Sequence, residues 1–110
     1  MAHETTSLLP RLVALIARLQ TGSAGFMENH QDAQQWYDRG YAAGMIAALD
    51  ALGHGATLGA DIERDAPELM SVHGVMSWGK AYRHGQEVGD RETREVLAPE
   101  QIHGHALSNR

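Results

Sequence analysis

Apolar residues follow a helical spacing near the start of this chain. They occupy an arc of roughly 160° when residues 8–20 are placed at about 100° per residue, which predicts an amphipathic helix. These residues are Leu8, Leu9, Leu12, Val13, Leu15, Ile16 and Leu19. Thr6 or Ser7 can cap this helix, and Pro10 suits a first turn, where its missing N–H has no helical partner. An arc this wide predicts that one flank of the helix packs against the core and that the other packs against a second subunit.

A second helix is predicted from about Gln31 to Leu52. Asn29 or Asp32 is suited to cap its start, since both side chains accept hydrogen bonds from free backbone N–H groups. Gly53 stands where a helix commonly ends in a left-handed residue.

A third helical stretch is predicted from about residue 65 to residue 88. Asp65 is its candidate cap, and Pro67 fits the first turn. Gly74 and Gly79 are two possible weak points, so the pattern leaves open whether this stretch is one helix or two.

The fold class predicted from these patterns is all-α, because no window alternates apolar and polar residues as a strand does. We expect a small bundle of three to five helices and one domain over residues 1–99, since 110 residues are too few for two domains. A short helical turn should end at Pro99, leaving residues 100–110 as a mobile tail. The small core predicts a homodimer.

Two of the predicted helical segments share a Trp, a Tyr-x-x-Gly sequence and a small residue at every fourth position. With only two copies, chance remains a possible explanation for this repeat. Residues four apart lie on one helix face, so small residues there let another helix approach closely. The residues assigned to close helix packing are Gly40, Gly44, Ala48, Ala81 and Gly85.

Large apolar side chains are concentrated in the same segments and in the first helix. Trp and Tyr are enriched where proteins bind one another, and so small a monomer has little room to bury them all. Core packing is the alternative for each ring. The candidates for a partner or dimer interface are Leu12, Leu15, Leu19, Trp36, Tyr37, Tyr41, Met45, Trp78 and Tyr82.

Charge and composition bear on the kind of partner and on the cellular compartment. Nine Lys and Arg residues stand against fourteen Asp and Glu residues, which disfavours nucleic acid as a partner because phosphate binding depends on basic side chains. The chain has no cysteine, which suits the cytoplasm. Its first residues lack the basic start of a secretory signal, and no apolar run is long enough to span a membrane.

No arrangement of residues predicts chemistry. His103 and His105 are the densest histidine pair, but zinc needs three or four preorganised ligands. Ser71 and His73 are two positions apart, which places them on different faces of a helix. We therefore expect no enzyme activity, no metal and no cofactor.

Two segments, residues 25–41 and 78–89, resemble the QslA family of quorum-sensing antiactivators. The resemblance extends over roughly residues 8–97. It implies a helical, dimeric protein without catalytic activity. It also implies a protein partner, the ligand-binding domain of a LuxR-type receptor, LasR, whose dimerisation surface the family occupies. The receptor then no longer holds its paired DNA half-sites.

Two other classes remain open from the sequence. A structural or assembly adaptor would have the same helices without a quorum-sensing partner. A small helical enzyme or metal carrier would use the histidines near the C-terminus. The sequence contains no motif that is specific to either class.

Overall fold

The structure, a computed structural model, describes the backbone of residues 2–108 and the side chains of residues 8–98. Its helices are α1 (Ala2–Gly22), α2 (Ala33–Ala51), α3 (Glu68–His73) and α4 (Ser77–Ser108). Two 3₁₀ turns lie at Phe26–Glu28 and Gly55–Thr57. No residue between 2 and 108 belongs to a strand, so the predicted all-α class is confirmed for this part of the chain.

Helix α1 begins earlier than its pattern predicted. It starts at Ala2, so Thr6 and Ser7 lie inside the helix and the prediction that either caps it is wrong. Pro10 lies in the interior, where its missing N–H removes one helical hydrogen bond. Burial of Leu12 and Ile16 in the turns that follow offsets this loss.

Helix α2 has the predicted boundary signals. The side chain of Asp32 accepts a hydrogen bond from the backbone N–H of Gln35 at 3.1 Å, which confirms Asp32 as the cap. Just beyond the helix, Gly53 has φ +86°, the left-handed conformation predicted for this glycine.

The third predicted stretch divides into two helices. The break falls at residues 74–76, which confirms Gly74 as a weak point, while Gly79 lies inside α4. A Cβ on Gly79 would overlap the carbonyl oxygen of His73, so the close turn between the helices requires glycine here.

Two predictions for this stretch are wrong. The residue that caps α3 is Pro67, without a side-chain hydrogen bond, because the Asp65 carboxylate binds Arg39 and Tyr82 instead. Pro99 does not end α4, whose backbone continues to Ser108. The predicted tail at residues 100–110 lies outside the side chains described.

The main packing contact is between α2 and α4. Gly40 lies against the backbone of Tyr82, and Gly44 lies against the backbone of Gln86. Because both partners advance by four residues together, the two helices run in the same direction. The segment containing α3 therefore returns the chain from the end of α2 to the level where α2 began.

The contact is reciprocal. Gly85 of α4 lies against the carbonyl of Tyr37, just as Gly40 lies against the carbonyl of Tyr82. Tyr37 and Tyr82 are 45 positions apart, and so are Gly40 and Gly85. The two Tyr-x-x-Gly segments thus pack on each other as equivalent halves of one helix pair.

Two apolar clusters flank this pair. The first joins α1 to α2 and the later part of α4, and its buried residues are Leu12, Ile16, Ala42, Met45, Ile46, Leu49, Ile62 and Leu97. The second lies where α2 and α4 begin and consists of Phe26, Trp36 and Tyr82. Among residues 2–108, no helix is long and apolar enough to cross a membrane.

Candidate protein-binding surface

Four of the interface candidates from the sequence lie inside the single chain. The side chains of Trp36, Met45 and Tyr82 are 0%, 1% and 3% exposed, and Leu12 is 9% exposed. Trp36 also donates a hydrogen bond from Nε1 to the carbonyl oxygen of Asn29 at 3.2 Å. These side chains offer almost no surface to a second protein in this conformation.

The other five candidates are half-buried, and they lie in different places. Leu15 and Leu19 belong to α1, while Tyr37 and Tyr41 are neighbours on α2, with ring centroids 6.2 Å apart. The Tyr41 hydroxyl donates a hydrogen bond to Glu92 of α4. Burial first, and then the Glu92 carboxylate, raises the pKa of Tyr41 to about 12.

Trp78, the fifth of these, belongs to an aromatic cluster at the start of α4. The His30 ring stacks on Trp78, with centroids 4.0 Å apart and planes inclined by 8°. Trp78 Nε1 donates a hydrogen bond to Nδ1 of His73 at 3.1 Å, and the His73 ring lies 5.2 Å from that of Trp36. These contacts fix the end of α3 against α4.

The most exposed large apolar side chains lie close to α3. Val72 and Val75 are 68% and 81% exposed, and Met27 and Met76 are 48% and 41% exposed. We call these four residues the α3 surface. Val96 on α4 is the remaining large apolar side chain of comparable exposure among residues 8–98. Met27 and Val72 line one groove together, and exposed apolar side chains grouped in this way commonly mark a binding site.

The interface candidates predicted from the sequence include none of the four residues of the α3 surface. A helix of six residues is too short for a periodic pattern to separate its buried face from its exposed face. The adjacent Val75 and Met76 in a turn, where polar residues are usual, were the available signal.

Beside the α3 surface lies a groove between the first 3₁₀ turn and α3, which we call the α3 groove. Its volume is about 790 Å³. Phe26, Met27, Leu69 and Val72 give it apolar walls. Its charged lining residues are Glu28, Arg39, Glu63, Arg64, Asp65 and Glu68.

Arg39 lies in the α3 groove and is 6% exposed. Its Nε and Nη2 atoms donate to Asp65, and Nη2 also donates to Glu63 at 2.7 Å. Burial alone would lower the pKa of Arg39, but the hydrogen bonds and charges of these two carboxylates raise it. The Arg39 guanidinium is therefore a fixed positive charge.

Asp65 also accepts a hydrogen bond from the Tyr82 hydroxyl at 2.7 Å. Burial, and then this bond, raises the pKa of Tyr82 well above its usual range. The connection between α2 and α3 is thus held to both long helices through one carboxylate.

A second apolar groove, of about 620 Å³, lies along α1, and we call it the α1 groove. It is lined mainly by Leu9, Val13, Ala17 and Ile62. The three interface candidates that the sequence placed on α1, Leu12, Leu15 and Leu19, do not line this groove. Both grooves are suited to binding protein side chains, since ligand sites are concave and mostly apolar.

No group of three or more metal-ligating side chains occurs among the residues described. His103 and His105 lie outside the described side chains. A scan of protein-family models finds no match to this chain, and neither the curated proteins nor the solved structures contain one at a significant level.

Proposed function

We propose that this protein is an antiactivator that binds the ligand-binding domain of a LuxR-type quorum-sensing transcription factor, such as LasR, and blocks its dimerisation. The observation that carries the proposal is the α3 surface, where Val72 and Val75 are largely exposed to water. A surface of this kind is stabilised when a partner covers it. The resemblance of two segments to the QslA family names the partner.

The proposed mechanism is sequestration. A receptor monomer bound to this protein is removed from the dimerisation equilibrium, so the concentration of DNA-binding dimer falls by mass action. An acidic protein performs this role without touching DNA. To compete with a receptor dimer, the interface should bury at least ~1,000 Å² in total. The interface should therefore include the α3 groove as well as the α3 surface.

The proposal includes a homodimer formed through the α1 groove. Val13 and Ala17 line this groove on one side, and Ile62 lines it on another. A glutamate at Val13 would place a charge at an apolar contact, so Val13→Glu should convert the dimer to a monomer in light scattering. A wild-type chain that is monomeric at micromolar concentrations would contradict this part of the proposal.

The receptor interaction is tested with the purified chain and a purified LuxR-type ligand-binding domain. Size-exclusion chromatography with light scattering should show a complex and a loss of receptor dimer. The double variant Val72→Glu with Val75→Glu should weaken the complex more than ~10-fold, because charges would be buried at the interface.

Val96→Glu is the control for each single substitution, Val72→Glu and Val75→Glu, because it introduces one glutamate at an exposed valine away from α3. It should bind like the wild type. If the wild type forms no complex at micromolar concentrations, the proposed partner is wrong. A quorum-responsive reporter gene that is unaffected by expression of the protein would favour the adaptor class instead.

A further inference from the structure

The α3 groove combines apolar walls with an excess of negative charge. Four carboxylates line it, those of Glu28, Glu63, Asp65 and Glu68. The buried guanidinium of Arg39 balances part of this charge through its bonds to two of them. The Glu63 side chain is nevertheless 71% exposed, and Glu28 and Glu68 are exposed as well.

The other arginine of the α3 groove does not reduce this excess. Nη1 of Arg64 lies 2.6 Å from Oδ2 of Asp50, which is not a lining residue. The charge of Arg64 is therefore already matched outside the groove. An anionic ligand such as a nucleic acid would meet a repulsive rim, and a cationic ligand would meet an attractive one.

Arg39 is the basic lining residue that is paired within the α3 groove. Arg39 forms its hydrogen bonds to Asp65 and Glu63 through Nε and Nη2. Only 7% of this side chain is exposed. The positive charge of Arg39 is therefore held by Asp65 and Glu63 and does not oppose a cationic ligand at the rim.

We propose that the α3 groove binds a basic amphipathic segment of a partner protein. Apolar side chains of the segment pack between Met27 and Val72, and its lysines or arginines face the carboxylates at the rim. The groove volume of about 790 Å³ suits a few side chains of one helical segment. The inference rests on the proposed function in taking the receptor as the protein that carries this segment.

The groove is tested directly with a labelled synthetic helix built only of leucine and lysine, followed by fluorescence anisotropy. The double variant Glu28→Lys with Glu68→Lys should bind this probe ~10-fold more weakly than the wild type, since two attractive charges become repulsive. The wild-type affinity should also fall as salt is added.

The matched control is Glu87→Lys with Glu95→Lys, which makes the same change in net charge at exposed positions of α4. It should keep the wild-type affinity to within about twofold, because these charges are outside the groove. Equal losses in the two double variants would overturn the inference, since the probe would then respond only to net charge. Thermal melting of each variant shows whether the overall fold is retained.

The receptor domain is measured against the same variants. If it binds the wild type and the α4 variant but not the groove variant, it carries the basic segment. The receptor domain could bind no form of the chain while the synthetic helix still distinguishes the variants. In that case the proposed function is wrong, and the α3 groove remains a site for a basic segment. If all forms bind the receptor equally, the basic segment is not on the receptor.

Discussion

Gly44 of α2 lies so close to the backbone carbonyl of Gln86 in α4 that a Cβ would approach its oxygen within 3.0 Å, nearer than real side chains come. Gly40 lies equally close to the backbone carbonyl of Tyr82, and Gly85 lies equally close to that of Tyr37. Backbone atoms of two parallel helices are thus in contact, which explains why glycines are tolerated inside them despite a cost of about 1 kcal/mol each.

The first prediction concerns this contact. Gly44→Ala should lower the free energy of unfolding by about 1–3 kcal/mol, because a backbone carbonyl cannot move aside as a flexible side chain can. Urea denaturation measures it. Gly22→Ala is the control, since Gly22 has no atom within 4 Å of its added Cβ, and it should change stability by less than about 0.5 kcal/mol. Equal stability of both variants would contradict the packing argument.

The second prediction concerns the buried ion pair. Asp65→Asn should destabilise the fold by about 2–3 kcal/mol, because Arg39 would remain buried with less compensating charge. Asp50→Asn removes a carboxylate from the exposed pair with Arg64 and should have a much smaller effect. Thermal and urea melts of the two variants make the comparison. A larger loss from the Asp50 variant would contradict it.

The third prediction is a pH dependence from Tyr41. Its pKa is raised from 10.0 to about 12 in the folded chain. Between these values the unfolded chain has lost the phenol proton and the folded chain has kept it, so raising the pH favours unfolding. The stabilisation is complete below pH 10 and is lost as the pH rises to about 12.

The Tyr41→Phe variant isolates this contribution. It should show a shallower fall in stability than the wild type over this pH range, measured by urea melts at successive pH values. Glu92→Gln, which removes the charge but keeps an acceptor, should reduce the slope only in part. If the Tyr41→Phe variant lost stability with rising pH as steeply as the wild type, the prediction would be wrong.

The fourth prediction separates the two tryptophans. Trp36 is fully buried, whereas Trp78 is half-buried. Trp78→Phe should therefore leave fluorescence that is blue-shifted and poorly quenched by acrylamide. Trp36→Phe should leave emission that is more red-shifted and more easily quenched. If Trp36→Phe left the more blue-shifted and less quenched emission, the assignment of Trp36 to the core would be wrong.

Much of the local structure follows from short-range patterns. Asp32 caps α2 because its side chain reaches a free N–H three residues ahead, and Gly53 ends the helix because glycine adopts a positive φ. Both features depend on residues near in sequence, so the sequence predicted the glycine and limited the cap to Asn29 or Asp32. The prediction that Asp65 caps the third helix is wrong, because its carboxylate binds Arg39, which is 26 positions away in the sequence.

The sequence by itself determined that this chain is helical, where α2 begins and ends, and which small residues lie together on one helix face. Only the tertiary structure decided which apolar side chains reach water. Trp36 and Tyr82 are enclosed where α2 and α4 meet, while Val72 and Val75 stay exposed. Exposure depends on which elements pack together across the whole chain. Helical periodicity assigns a residue to a face, but it does not say what covers that face.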